Sequence, residues 1–486
     1  MPQATTQQAT TIGQQIRESE AVRSGVSAIV DEISRRRAEI TEVRGPVDGL
    51  KTTLDDLMKQ AEDSRGRGLM MPYIGSGVGN GALVELVDGS VKYDLMCGIG
   101  PNFFGHSDPD LLAVALEGAM TDVTFQGYFQ QNADAIHFSD RLAKEAGRNS
   151  RLRHAFLCNS GAMANDNALK ICFHNRHPAD RVLAFQGCFM GRSIAMSQIG
   201  DNAAYRIGVP TNIPIDYMPF FDEPAAQRMS AGDATGQSRY IDMCVWHLRQ
   251  YFERYPDKHA CFVFELVQGE GGYNTAPREY FTALMDVCRD HNVPVWVDEV
   301  QTFGRTTEMF AFEALDLGEY IDVCTIGKMS QVCAAIFTPE MNPKPGLLSG
   351  TFLGSSVALR VGRRMIERLR EGDYYGEGGR IAKHHRHFVE GIKAIAQKHP
   401  DWFPHNRSIM EPYGGFGGMM RFSPFGGDKA KVAKACRCMY EEGVVTLSCG
   451  HGPYHVRILP PLGVMREEEW PTVFELIERG LAKAAS

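Results

Sequence analysis

An α/β fold built on a mostly parallel sheet, joined to a smaller α+β domain, is what this 486-residue sequence predicts. Three features lead there. From about residue 110 to 370, helical stretches alternate with short β-rich runs, the arrangement of βαβ units. From about 372 onward, helices mix with short strands instead. Two of the β-rich runs deliver chemically useful side chains, Asp298 and Lys328, at or just past their carboxyl ends, where open α/β sheets bind ligands.

The elements follow in order. Ile16, Val22, Val26, Ile29, Ile33 and Ile40 recur mostly three or four residues apart, which predicts an amphipathic helix interrupted at Gly25 and closed by Gly45-Pro46. A second short helical pattern holds Leu50, Leu54, Leu57 and Met58. Gly75 to Gly81 fails as a dinucleotide fingerprint, because Asn80 takes the third glycine position and a strand follows it, so a flexible turn is expected. Val84 to Asp94 reads as a hairpin turning at Asp88-Gly89. Helices are expected at 110–120 and 162–176, and strands at 155–157, 181–185, 260–267, 293–297 and 322–325. Beyond 372 come helices at 380–398 and 428–442 and strands at 444–448 and 455–459.

Composition narrows the function. The chain has 51 Lys plus Arg against 59 Asp plus Glu, a net −8, which argues against nucleic acid binding by bulk charge. Apolar residues make 43% and charged residues 23%, as in ordinary globular chains. No apolar run approaches the ~20 residues of a membrane helix, and MPQATTQQATT lacks the basic and apolar regions of a secretory signal. A soluble, cytoplasmic protein with no membrane partner is expected. Twelve cysteines need no disulfide framework in so long a chain, and Cys172, Cys261, Cys288 and Cys324 sit in apolar contexts. No metal is expected: Cys436-Arg437-Cys438 has no second pair nearby, and His384, His385 and His387 read as a solvated helix face.

Three segments carry chemistry. Val295-Trp296-Val297 leads into the adjacent carboxylates Asp298 and Glu299, and Asp322 to Ile326 leads to Lys328. An acid that holds a protonated ring nitrogen and an amine that forms a Schiff base are the pyridoxal phosphate pairing. Ser160, Gly161 and Ala162 lie between a strand and a helix, where backbone N–H groups and the helix dipole suit a phosphate.

With Gly187 to Arg192, Glu265 to Gly272, Asp298 to Thr302, Gly327-Lys328 and Gly350 to Phe352, the sequence resembles the class III (ω-) aminotransferases from about residue 75 to 480. The resemblance implies a fold-type I transferase with a mostly parallel seven-stranded sheet, working as a homodimer with shared active sites. It implies an N-terminal helical extension over 1–70, a small domain from 71–125 and 372–486, and a large cofactor domain over 126–371. It also implies pyridoxal phosphate, with Lys328 as the Schiff-base lysine and Asp298 on the ring nitrogen. Gln301 is then expected at the ring hydroxyl, Phe189 on the ring face and Glu265 near the ring. Ser160, Gly161 and Ala162 are expected at the phosphate, with Thr351 reaching it from the neighbouring subunit.

The same resemblance addresses substrates, an amino donor and a 2-oxo acid acceptor. Arg192 stands where relatives bind a distal carboxylate, and Glu270 where a switchable glutamate masks a second arginine, here Arg457. Paired arginines suit a dicarboxylate such as 2-oxoglutarate. The surroundings of Lys328 and the run Ala164 to Lys170 resemble lysine 6-aminotransferases, and Ile99 replaces the tyrosine of ornithine enzymes. The expected reaction moves a terminal amino group, as from lysine, to 2-oxoglutarate, giving a semialdehyde and glutamate. Acetylornithine, ornithine or 4-aminobutyrate transamination are the alternatives, as is a decarboxylase or aminomutase on the same fold. Three departures from the family stand out: Met190 replaces a histidine, Leu266 replaces a proline, and the loop from Asp298 to Arg305 is one glycine short.

Overall fold

A computed structural model describes residues 10–121, 125–230 and 236–486. At its centre lies a sheet of seven strands: β1 (His154–Cys158), β2 (Arg181–Phe185), β3 (Ile215–Met218), β4 (His259–Phe264), β5 (Val295–Glu299), β6 (Val323–Ile326) and β7 (Cys333–Phe337). Their order across the sheet is β1-β7-β6-β5-β4-β2-β3. Strand β7 is antiparallel to both neighbours and every other pair is parallel. Apolar side chains leave both faces. Val295 and Val297 enter one buried cluster with Phe185, Phe262 and Phe264, while Trp296 enters another with Ala184, Val263 and Ala335. A sheet covered on both sides needs continuous apolar strands, which is how these read in the sequence.

Two four-stranded sheets flank this one. Gly75–Asn80, Leu83–Leu86 and Val91–Asp94 form antiparallel neighbours, and Val444–Val445 adds in parallel beside Val91–Asp94. The second joins Tyr413–Phe416, Met419–Phe422, His455–Ile458 and Leu447–Cys449. The expected strand over 444–448 therefore splits between two sheets. The Asp88-Gly89 hairpin forms, with Gly89 at φ 76° and Asp88 Oδ1 accepting from Ser90 N at 3.0 Å.

Four local expectations change. The expected flexible turn at 75–81 is a strand over Gly75–Asn80, because ladder hydrogen bonds use backbone alone and need no side chain. Its Gly79 is required by packing, since a Cβ there would lie 2.5 Å from His106 Cβ. The N-terminal helix does not break at Gly25. It breaks at Ser19, which is extended at ψ 129° between helices Ile12–Glu18 and Glu20–Arg37, and Gly25 continues the helix at its modest propensity cost. That second helix ends at Arg37, well before Gly45-Pro46. Of the three histidines expected on a solvated face, His384 is 1% exposed and accepts from Trp470 Nε1 at 2.9 Å, while His385 and His387 are half-buried.

Residues 20–44 are tied into the body. Helix Glu20–Arg37 packs on helix Pro109–Ala119, Asn80 Nδ2 donates to Ile40 O at 3.0 Å, and Arg44 bridges to Val91. Helix Lys51–Arg65 ends at Gly66 in left-handed backbone, φ 70°. Among the described residues no helix is long and apolar enough to cross a membrane.

Alternation along β5 separates its two terminal carboxylates. Glu299 turns away from Asp298 and is fully buried. It accepts from Thr302 Oγ1 at 2.7 Å, Ala311 N at 2.8 Å and Phe312 N at 3.0 Å, capping helix Ala311–Ala314. Glu299→Gln presents an amide NH2 toward donors. It should lower unfolding free energy in urea by about 1–3 kcal/mol without changing the cavity-facing side of the strand.

Candidate active site

The carboxyl ends of β4, β5 and β6 and the loops after β1 and β2 converge on one cavity of about 1010 Å³. Asp298, 6% exposed, faces it from β5. Its Oδ1 accepts from Val300 N at 2.8 Å and its Oδ2 from Asn165 Nδ2 at 2.7 Å. Asn165 Nδ2 also donates to Met190 O at 2.7 Å, tying helix Gly161–Asn175 to the loop after β2. Burial pushes the Asp298 carboxyl above the usual range. Past β6, Lys328 begins a single 3-10 turn in left-handed backbone, φ 52°, and lines the same cavity. Burial lowers its ammonium, against the pull of Asp298 and Glu265.

Glu265, just past β4, accepts from Phe189 N at 3.0 Å and Gly269 N at 2.8 Å. Burial, with the charge of Asp298 nearby, pushes it up to about 8. Phe189 meets Tyr205 edge-on, with ring centroids 5.7 Å apart. Arg192 lays its guanidinium over the other side of the site on the same Tyr205 ring, 4.3 Å from the centroid. Arg457, 2% exposed, donates from Nη2 to Glu270 Oε1 at 2.8 Å, while its Nε and Nη1 have no partner. Ile99, Gln301, Gly161 and Ala162 complete the set on the cavity wall.

Two expected residues stand apart. Ser160 is exposed and caps helix Gly161–Asn175, accepting from Met163 N at 3.2 Å, outside the wall itself. Thr351 lies on an exposed loop and does not line this chain's cavity. Other wall residues were not expected at all. Met58, Leu69, Met70, Met71 and Pro72 form an apolar side from the N-terminal region, and Cys436, Arg437 and Tyr440 contribute from helix Lys429–Glu442. In the sequence, Asn165 stands out only as part of the run Ala164 to Lys170. The signal that could have found it is a polar side chain on the buried face of a helix, between Ala164 and Ala168.

The class-III aminotransferase family model matches residues 48–481. The chain belongs to the class-III aminotransferase family. A mitochondrial acetylornithine aminotransferase of Eremothecium gossypii is 24% identical over 408 residues, covering 81% of this chain and 87% of that one. An L-lysine-epsilon aminotransferase of Mycobacterium tuberculosis (strain H37Rv) is 27% identical over 422 residues, covering 80% and 87%. Among solved structures, a Bacillus anthracis aminotransferase superposes with a TM-score of 0.76 at 20% identity, covering 90% of this chain and all of that one (100%). The fold is thus that of the pyridoxal-phosphate-dependent aminotransferases, and this class-III aminotransferase is such an enzyme.

The residues of the cavity fit that cofactor. Gln301 Oε1 is a buried polar atom with no partner, available to a ligand hydroxyl. At the helix start, a Cβ on Gly161 would meet Val300 at 2.9 Å and one on Gly191 would meet Ala162 at 2.8 Å, so the backbone there is kept bare. The buried Asp298 carboxylate calls for a cation beside it, which a protonated ring nitrogen would supply.

Two measurements test this electrostatic reading. Glu265 sits above its unfolded value of 4.5, at about 8, so the folded chain binds the extra proton across that interval. The stability this contributes is complete below about 4.5 and is lost as pH rises through 8. In cofactor-free enzyme, Glu265→Gln should therefore flatten the fall in thermal midpoint between pH 5 and pH 9. Asn165→Ala frees one Asp298 oxygen and should lower kcat/KM by about 10–100-fold, with an intact fold by circular dichroism.

Proposed function

We propose that this class-III aminotransferase moves a terminal amino group from an ω-amino acid such as lysine to 2-oxoglutarate, giving a semialdehyde and glutamate. The observation that carries the proposal is the Arg457–Glu270 pair at 2.8 Å. Arg457 is buried and can act on a substrate carboxylate only when Glu270 swings aside. With Glu270 in place, the charge of Arg457 is already answered by a carboxylate, so the α-carboxylate of a donor meets no unneutralised guanidinium there and a donor enters by its far amine. When a dicarboxylate acceptor arrives, Glu270 yields, and Arg457 with Arg192 offers two guanidinium forks. The apolar wall of Met58, Leu69, Met70, Met71 and Pro72 suits the methylene chain such a donor carries.

When bound, pyridoxal phosphate supplies an electron sink for the carbon that carries the amine. Asp298 holds a proton at the ring nitrogen, fixed in orientation by Val300 N and Asn165. Lys328, with its ammonium lowered by burial, provides an amine able to take a proton from that carbon and return it to the other side of the transfer. Gln301 would receive the ring hydroxyl and Phe189 would cover the ring, with Glu265 beside it. Gly161 and Ala162 would offer helix N-terminal amides to the phosphate, with Ser160 capping that helix start. A homodimer completes the site, with Thr351 serving the neighbouring subunit. Phe129 and Ile207, 94% and 82% exposed, are apolar side chains of the kind a second copy would cover.

The test is a donor panel of lysine, ornithine, acetylornithine and 4-aminobutyrate with 2-oxoglutarate, scored by glutamate formed and by the absorbance of the bound cofactor. Lysine should shift the absorbance and 2-oxoglutarate should restore it. Restoration failing with 2-oxoglutarate refutes the two-arginine reading. Lys328→Ala should lose turnover by at least about 10³-fold. Glu270→Ala should reduce the preference for ω- over α-amines by about tenfold.

A further inference from the structure

Residues 97–100 form a turn in which every φ is positive: Cys97 at 50°, Gly98 at 66°, Ile99 at 65° and Gly100 at 105°. For a β-branched residue such as Ile99 this is an outlier, and backbone of this kind persists only where its surroundings impose it. The surroundings are visible. Asp94 Oδ1 accepts from Met96 N at 2.9 Å and Cys97 N at 2.8 Å at the entrance to the turn. At its exit, Gln331 Nε2 donates to Pro101 O at 3.2 Å from the turn that begins at Lys328.

The centre is held by Arg305, a side chain only 1% exposed. Its Nε and Nη2 both donate to Gly100 O, at 3.1 and 2.7 Å, and its Nη1 donates to Pro460 O at 3.1 Å. Among the described residues no carboxylate pairs with it. A buried guanidinium answered by two carbonyls, the Cys97 thiol and the Phe103 ring, with no carboxylate, is costly, so a merely apolar filler of similar size would pack there at less expense to the fold. What it does instead is join three segments that each reach the cavity. Arg305 lies seven residues past Asp298, Gly100 follows Ile99, and Pro460 lies three residues past Arg457. Leu459 N donates to Leu95 O at 2.6 Å, a second tie between the same two segments.

We propose that Arg305 is a positioning residue for substrate. It holds the left-handed turn so that Ile99 stands in the cavity wall at a set place relative to Arg457. The inference rests on the aminotransferase activity and not on which amine is the donor. It assigns Arg305 no contact with substrate and no part in proton transfer.

The experiment is a double-mutant cycle on holoenzyme with Arg305→Lys, Ile99→Gly and the double variant, using whichever donor the wild type accepts. Glycine adopts positive φ freely and has no side chain to place, so it removes what Arg305 is said to position. Arg305→Lys should raise donor KM about tenfold with kcat within about threefold, and should add less than about twofold in the Ile99→Gly background. Amide hydrogen exchange over 95–101 should quicken in Arg305→Lys. Equal KM factors in both backgrounds, or a fall in kcat at unchanged KM, overturns the proposal. Gly100→Ala is a second route: a Cβ there would sit 3.2 Å from Arg305 Nε, in backbone that disfavours it. It should raise donor KM as Arg305→Lys does. A folded Gly100→Ala enzyme with wild-type KM overturns the proposal even if Arg305→Lys does not fold.

Discussion

Asp298 is a carboxylate taken out of water at the end of an apolar strand, and a group so placed has to be answered by donors and by a cation. The donors are built in: Val300 N and Asn165 Nδ2 take one oxygen each. Asn165 can reach only because its helix lies across the sheet, and that helix begins at the bare Gly161. The helix start, the loop through Met190 and the strand end are thus mutually placed by one buried charge. Lys328 and Glu265 feel the same burial from the neighbouring strands β6 and β4. Cofactor chemistry occupies the point where these demands meet.

The end of the cavity proposed for substrate obeys a different constraint. Its walls come from parts of the chain distant in sequence: the N-terminal segment around Met70, the turn at Ile99, helix Lys429–Glu442 and the strand of Arg457. They are brought together by a shared sheet, in which Val444–Val445 runs beside Val91–Asp94, and by the buried guanidinium of Arg305. Backbone pairing makes this assembly tolerant of side-chain change. The cavity wall can therefore vary while the sheet beneath it stays, which suits a family whose named members act on different amines.

Much of the fold was legible because its signals are local. The strands at 181–185 and the helix at 380–398 begin and end where periodicity places them, and both faces of the large sheet are apolar as its continuous runs require. The Gly75–Asn80 strand was illegible for the opposite reason. Its stability comes from a partner strand, and its own residues carry no β signal. His384 reads as solvated among basic neighbours, yet it lies on the buried face of its helix against Trp470.

Within the site, sequence alone determined which strand ends bear an acid and an amine, since apolar runs and their terminal residues are written consecutively. Local pattern could not say which of Asp298 and Glu299 faces the cavity, because a strand's two faces are equivalent until something packs on them, and the choice of Asp298 came from the family resemblance. Asn165, Arg305 and the methionines at 58, 70 and 71 gained their places only from tertiary structure. Each acts on atoms more than a dozen residues away or lines a wall that several segments share. Such contacts leave no pattern in the local chain, and only packing brings the partners within hydrogen-bonding or van der Waals reach.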